Sequence, residues 1–264
     1  MKIRPKKSLG QNFLIDKNII KLIINLGGII EDNILVEVGP GTGNLTEQIL
    51  LKNPKKLILI EKDKNLAKHL LEKFDNKIML INDDILNVEE NELSDEKMII
   101  FGNLPYNIST QILAKWIKHK NLNSICKKFI LMFQKEVADR ILAKSKSKEF
   151  GRLSILCNWR LEIKKHFDVS KNCFSPKPKI NSTVLSFTPK KNNEFNIKNP
   201  KHLETVTRVL FSNRRKMIKK SFIKLFGHDK SVAKDLNLNL YERAEELSNE
   251  MFYRITMKYE KLFN

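Results

Sequence analysis

The stretch Ile34-Leu35-Val36-Glu37-Val38-Gly39-Pro40-Gly41-Thr42-Gly43 decides the fold. Its first five residues, four of them apolar, read as a buried strand. Gly-Pro-Gly-Thr-Gly then makes a tight loop, and Asn44 to Leu51 continues with helical spacing. Glycine permits positive φ and lets the backbone approach a ligand closely. The spacing is GxGxG with Asn at position 44, so the dinucleotide pattern GxGxxG is absent, and so is a P-loop lysine. A plain strand-to-helix turn would use the same glycines, so the loop acquires meaning from what surrounds it.

Outward from that loop the pattern repeats. Leu57 to Ile60 is a second strand closing on Glu61, and Asn65 to Phe74 has helical spacing through Leu66, Leu70, Leu71 and Phe74. Ile78 to Ile81 is a third strand closing on Asp83-Asp84, Met98 to Phe101 a fourth, and Phe129 to Phe133 a fifth. Between the last two, Ser109 is placed to cap a helix carrying Ile112, Leu113 and Trp116. Upstream, Asp16 caps a helix with Ile19, Ile20, Ile23 and Ile24 on one face, ended by Gly27-Gly28. Phe174 to Lys179 is a stiff proline-containing loop, and Ser182 to Phe187 alternates as a last strand. Strands alternating with helices predict an α/β domain with a parallel, doubly wound sheet and ligands at the carboxyl ends of its strands. The polar stretch Pro189 to Pro200 reads as a linker, so the expected division is 1–190 and a small α-helical domain at 191–264.

The strand ends carry the chemistry. Glu61 lies twenty-two residues beyond Gly39, where a carboxylate accepts from both hydroxyls of a ribose. Asp84 is placed to accept from an adenine amino group. With Gly39 and Gly41 these describe a pocket for an adenosine without pyrophosphate, which fits S-adenosylmethionine. Glu37 is either part of this pocket or a structural group bonding loop amides. At the end of the fourth strand comes Asn103-Leu104-Pro105-Tyr106. An adenine amino nitrogen is a poor nucleophile because its lone pair is delocalised into the ring. The Asn103 side-chain oxygen and the Leu104 carbonyl can each accept one N–H and draw the nitrogen towards tetrahedral geometry. Pro105 fixes the carbonyl direction, and Tyr106 stacks on the base. Phe174 is a candidate for the other wall of that slot, with a core role as the alternative.

The net charge of +19, from 49 Lys and Arg against 30 Asp and Glu, calls for a polyanionic partner, nucleic acid ahead of a membrane surface. The charge is concentrated. Residues 1–21 hold six basic residues against one acid, and 190–234 hold thirteen against three, while 235–264 are net acidic. Arg214, Arg215, Lys216, Lys219 and Lys220 are expected on a helix that contacts phosphates, and Lys2, Arg4, Lys6 and Lys7 near the catalytic mouth. Cys126, Cys157 and Cys173 are widely spaced with no histidine cluster, so neither a disulfide framework nor a metal site is expected. The run Ile19 to Ile24 is too short and polar for a signal peptide or membrane span, which makes a reducing cytoplasm the expected compartment.

Several long motifs now converge. Ser8 to Leu14, Val36 to Gly43, Phe101 to Thr110, Gln134 to Ala138, Phe174 to Lys179 and Phe211 to Lys216 resemble the RsmA/KsgA family of rRNA adenine dimethyltransferases, relatives of the Erm methylases and mitochondrial transcription factor B proteins. The resemblance runs nearly end to end. It implies a Rossmann-like class I methyltransferase domain with a small helical rRNA-binding domain. It also implies dimethylation of two adjacent adenosines in a hairpin near the 3′ end of 16S rRNA, on a 30S particle, by a protein that doubles as a late assembly factor; nothing in the sequence demands more than a monomer. Carried over by motif, the cofactor contacts are Asn12, Leu14, Gly39, Glu61, Asp84 and Asn103. Two alternatives share these residues: an Erm-type 23S rRNA methylase, and a non-catalytic RNA-binding assembly or transcription factor. The sequence around Phe101 to Thr110 and the intact Asn103, Pro105, Tyr106, Glu61 and Asp84 favour the first reading.

Overall fold

A computed structural model describes residues 5–6, 10–192, 194–229 and 231–263. The opening segment gives a two-residue strand β1 (Phe13–Leu14) and helix α1 (Lys17–Asn25). Asp16 caps that helix as expected, accepting from the amides of Asn18 and Ile19. The alternating region follows as β2 (Ile34–Val38), α2 (Asn44–Leu50), β3 (Lys56–Ile60), α3 (Lys64–Phe74), β4 (Met79–Ile81), β5 (Met98–Asn103), α4 (Ser109–Lys118), α5 (Leu122–Ile125) and β6 (Cys126–Gln134). Then come α6 (Lys135–Leu142), α7 (Arg152–Arg160), β7 (Leu161–Val169), β8 (Phe174–Ser175) and β9 (Ser182–Pro189). Four helices complete the chain: α8 (Pro200–Leu210), α9 (Lys219–Phe226), α10 (Ser231–Asp235) and α11 (Asn249–Glu260).

Among the described residues the large sheet runs β4-β3-β2-β5-β6-β9-β7. The first five strands are parallel and β9 is antiparallel to β6. All of β2 is buried, which is why it reads as a continuous apolar run rather than an alternating one. From β2 the chain progresses outward one way to β3 and β4, then returns to the other side for β5 and β6. The point of reversal lies between β2 and β5, and their carboxyl ends leave an open crevice there. The register shows what reaches it: Val38 lies beside Ile60 and Gly102, and Ile60 beside Ile81. Gly39, Glu61 and Asn103 therefore leave three neighbouring strands at one level.

The chain forms two compact units, Met1–Ala138 with Glu162–Pro189, and Asp139–Leu161 with Lys190–Asn264. Residues 139–161, expected in the first domain, thus belong to the second. Their backbone is claimed by it: Tyr253 Oη donates to the Ile155 carbonyl at 2.8 Å, and Lys190 Nζ to the Asn158 carbonyl at 2.7 Å. An aromatic cluster of Phe150, Phe211 and Phe252 closes the same core. Within the second unit the Glu260 carboxylate accepts from the amides of Lys198 and Asn199, so the linker expected at 189–200 is tied down where α8 begins.

Other details differ from the sequence reading. Ser109 is the first residue of α4 rather than its cap, and its hydroxyl donates to the Tyr106 carbonyl at 3.3 Å. Strand β5 continues two residues past its apolar run because Gly102 and Asn103 still pair with Leu131 and Met132 of β6. A Cβ at Gly102 would lie 2.7 Å from the Leu104 side chain, so the glycine lets the following turn fold back on the strand. Arg214, Arg215 and Lys216 lie in a turn before α9, and Lys219 and Lys220 begin that helix. The helix cannot start earlier because the Ile218 and Lys219 amides donate to the Glu242 and Leu240 carbonyls instead of to a preceding turn. No helix among the described residues is long and apolar enough to cross a membrane.

Candidate active site

The first unit contains a cavity of about 220 Å³ at the carboxyl ends of β2 to β5. Its wall includes Asn12, Leu14, Glu37, Gly39, Gly41, Glu61, Asp83, Asp84 and the whole turn from Asn103 to Tyr106. The glycine loop bends through left-handed conformations, with φ of 68° at Gly39, 59° at Gly41 and 78° at Gly43. A Cβ at Gly41 would sit 2.7 Å from the Phe13 ring, and one at Gly43 2.5 Å from that of Phe74. The loop is thus compressed between the opening strand and α3, and only glycine fits.

Strand β1 explains why the opening segment reaches this cavity. It pairs antiparallel with β8, Phe13 beside Ser175 and Leu14 beside Phe174, which anchors it across the sheet end. The Leu14 carbonyl accepts from Asn44 Nδ2 at 2.8 Å, and the Asn12 carbonyl from Asn103 Nδ2 at 3.0 Å. That second bond decides the orientation of the Asn103 amide. A carbonyl can only accept, so the amide nitrogen must face Asn12, and Oδ1 is left to accept elsewhere. The Tyr106 hydroxyl is 2.8 Å from Ser182 Oγ, the buried first residue of β9, which fixes the ring; burial pushes the phenol pKa up. Leu104 is buried, and the Pro105 carbonyl accepts from Ile108. Phe174 is also buried, but within the hydrophobic core opposite Leu14 rather than in the cavity wall, because β8 turns it inward.

The three acids differ. Burial pushes the Glu61 carboxyl up, opposed by the amides of Asp63 at 2.8 Å and Gly41 at 3.2 Å. A carboxylate has about four acceptor directions and the Lys62 amide also bears on it, so about one or two remain for a ligand. Partial burial works to raise Asp84, but Lys62 at 2.8 Å and the Leu86 amide at 3.0 Å outweigh it, and the net shift is downward. Asp84 therefore has partners already, while its neighbour Asp83 also lines the cavity and is exposed. Burial pushes Glu37 up to about 8 against the 2.6 Å bond from Thr46 Oγ1, with Glu61 adding to the rise. Glu37 bonds the Thr46 hydroxyl of α2, not loop amides.

The sequence reading missed a support beneath this wall. Lys115 of α4 donates through Nζ to the Ile85 carbonyl at 3.0 Å, to the Val88 carbonyl, and to Glu90 Oε1 at 2.7 Å. Trp116 Nε1 donates to the same oxygen at 2.7 Å, and Glu90 is fully buried. Lys115 thereby staples the loop that carries Asp83 and Asp84. Of the acids Glu89, Glu90 and Glu92 only Glu90 turns inward, which no local pattern marks.

Two basic clusters fare differently. Lys6 forms an ion pair with Asp63 at 2.9 Å, and Gln11 Nε2 donates to the same carboxylate at 3.2 Å, which pins the arm beside the cavity. Lys2, Arg4 and Lys7 lie outside the described residues. Arg214 is spent internally in the second unit: Nε donates to Glu245 Oε2 at 2.7 Å and Nη2 to the carbonyls of Ser147 and Lys148. Arg215, Lys216, Lys219 and Lys220 remain exposed. Among the described residues no group of three or more His, Cys, Asp or Glu is placed to hold a metal ion.

Comparison with known proteins agrees with this geometry. The profile of the ribosomal RNA adenine dimethylase family matches residues 3–261. The ribosomal RNA small subunit methyltransferase A of Pelagibacter ubique is 50% identical over 262 residues, 99% of each chain. A dimethyladenosine transferase from Plasmodium falciparum superposes with a TM-score of 0.78 at 26% identity, covering 94% of this chain and 98% of that one. The 23S rRNA methyltransferase ErmE superposes at 0.68 over 94% and 99% of the two chains; at 21% identity it shares the fold. A glycine loop, strand-end acids and an oriented Asn-Leu-Pro-Tyr turn in this arrangement, with a match spanning the chain, mean that the protein belongs to the ribosomal RNA adenine dimethylase family.

Proposed function

We propose that this protein transfers methyl groups from S-adenosylmethionine to the N6 atoms of two adjacent adenosines in a hairpin near the 3′ end of 16S rRNA, within the 30S particle. The observation that carries this reading is the Asn103 amide at the cavity wall, whose nitrogen is committed to the Asn12 carbonyl, so that its oxygen is the atom left to accept. The cavity suits an adenosine donor: Gly39 leaves room for close approach, and Glu61 retains acceptor directions for ribose hydroxyls. Asp83 and Asp84 are the acceptors for an adenine amino group. When bound, S-adenosylmethionine supplies an activated methyl group.

The chain's own residues do the rest. Asn103 Oδ1 and the Leu104 carbonyl accept the two N–H bonds of the target amine, pulling the lone pair out of conjugation. Tyr106, held by Ser182, presents its ring to the base. Positioning of this kind supplies much of a transfer barrier without a strong base. After the first transfer one N–H remains, so only one acceptor stays engaged and the slot must tolerate a bulkier amine. The same reading puts the enzyme in the cytoplasm as a monomer with a part in late subunit assembly. Incubation with labelled S-adenosylmethionine and immature 30S particles tests it: label in 16S rRNA as N6,N6-dimethyladenosine is expected. Label in naked 23S rRNA instead would favour an Erm-type activity, and binding without any label a non-catalytic factor.

A further inference from the structure

We propose that residues 217–219 and 241–243 of the second unit form a stacking platform for an unpaired base of single-stranded RNA. Met217 pairs antiparallel with Arg243, the Ile218 amide donates to the Glu242 carbonyl at 2.9 Å, and the Lys219 amide to the Leu240 carbonyl at 3.1 Å. The pairing is a single bridge: Ile218 is already in a helical conformation and Lys219 opens α9, so proximity here is set by the bridge and the two amide bonds. Ile218 is 1% exposed and points inward, whereas Met217 is 54% and Tyr241 66% exposed, with Lys219 and Arg243 exposed as well. Met217, Lys219, Tyr241 and Arg243 thus present an exposed apolar chain and a ring set among cations, Met217 beside Arg243 and Lys219 beside Tyr241. Lys219 Nζ sits 5.7 Å from the Tyr241 ring centroid, a cation–π contact that steadies the ring.

An exposed aromatic between basic side chains is the arrangement that binds single strands. The ring takes the face of a base and the cations take the flanking phosphates. A duplex would satisfy only the cations, because its bases already stack on each other. The occupant must be polyanionic, since residues 190–234 carry thirteen basic residues against three acids. This proposal rests on the reading of rRNA as substrate and names a further contact within it.

The test is fluorescence anisotropy with a labelled twelve-nucleotide oligoadenylate and with a duplex of the same length, on the full chain. Tyr241→Ala should weaken oligoadenylate binding about tenfold, while Tyr241→Phe, which keeps the ring, stays within about twofold. Duplex affinity should be unchanged in both. Unchanged oligoadenylate binding by Tyr241→Ala, or an equal loss on the duplex, would overturn the platform. So would a loss confined to anionic vesicles or to a ribosomal protein. Methylation of immature 30S particles by the unaltered protein is scored separately. If methylation is absent but the Tyr241 dependence remains, the enzymatic reading fails and the platform stands.

Discussion

The turn at Asn103–Tyr106 and the platform proposed at residues 217–219 and 241–243 would each take a purine ring, by opposite means. In the turn, the amide is oriented by the Asn12 carbonyl, the ring by Ser182, and Leu104 is buried. Ligand-facing atoms there are few and already aimed. On the platform, Tyr241 and its neighbouring cations stand in solvent, with Lys219 Nζ over the Tyr241 ring. A site that must promote a reaction needs its dipoles fixed beforehand, whereas a docking surface works through charge and tolerates mobile side chains. The two should therefore respond differently to substitution, pH and salt.

The largest expected effect is at the turn. Asn103→Ala should lower methyl transfer by about 100- to 1,000-fold, as loss of a fixed catalytic hydrogen-bonding group does elsewhere, with rRNA affinity unchanged. Retained activity in a single-turnover assay would erase the contrast. Next, Lys115→Met should destabilise the protein by about 3 kcal/mol in urea melts, because it strands the buried Glu90 charge. It should also raise the KM for S-adenosylmethionine, and adding Glu90→Gln should recover much of the stability. If the double variant is no better than the single one, the staple is not electrostatic.

Glu61→Gln should raise the KM for the donor about tenfold with less effect on kcat, since it weakens charge-assisted hydrogen bonds in the ground state. A pH effect follows from Glu37, raised from an ordinary 4.5 to about 8 mainly by burial. The folded protein holds this proton more tightly than the unfolded chain. Its stabilising contribution is thus full below about pH 4.5 and is lost as pH rises through about 8, at a slope approaching about 1.4 kcal/mol per pH unit. Melting curves from pH 5 to 8 should shift in favour of Glu37→Gln as pH rises, and parallel curves would contradict the buried acid. The smallest effect belongs to the exposed cations at the start of α9. Lys219→Ala and Lys220→Ala should each reduce the slope of log affinity against log salt by about 0.7 to 0.9, with transfer from the bound state unaltered.

Much of the first unit was legible because its strands are buried on both sides and its turns are marked by Gly and Pro. The level shared by Gly39, Glu61 and Asn103 follows once β2 is recognised as central. Strand β7 escaped because, as an edge strand, it mixes exposed charges with its apolar residues. Residues 139–161 were misassigned because composition does not say which core a helix joins. Arg214 looked like a phosphate contact because a basic run does not reveal which cation finds a carboxylate at home, here Glu245.

By itself the sequence determined the α/β class, the cavity's principal residues, the polyanionic partner and the family. These depend on local patterns of apolar residues, glycines and charge. Tertiary structure alone decided which way the Asn103 amide points, that Tyr106 is held by a serine 76 residues away, and that Lys115 supports the Asp83–Asp84 loop. It likewise decided that Phe174 belongs to the core, that Met217 is bridged to Arg243 and that Lys219 lies over the Tyr241 ring. Each of these is a hydrogen bond, a burial or a pairing between segments distant in the chain, and no local propensity encodes such a partner.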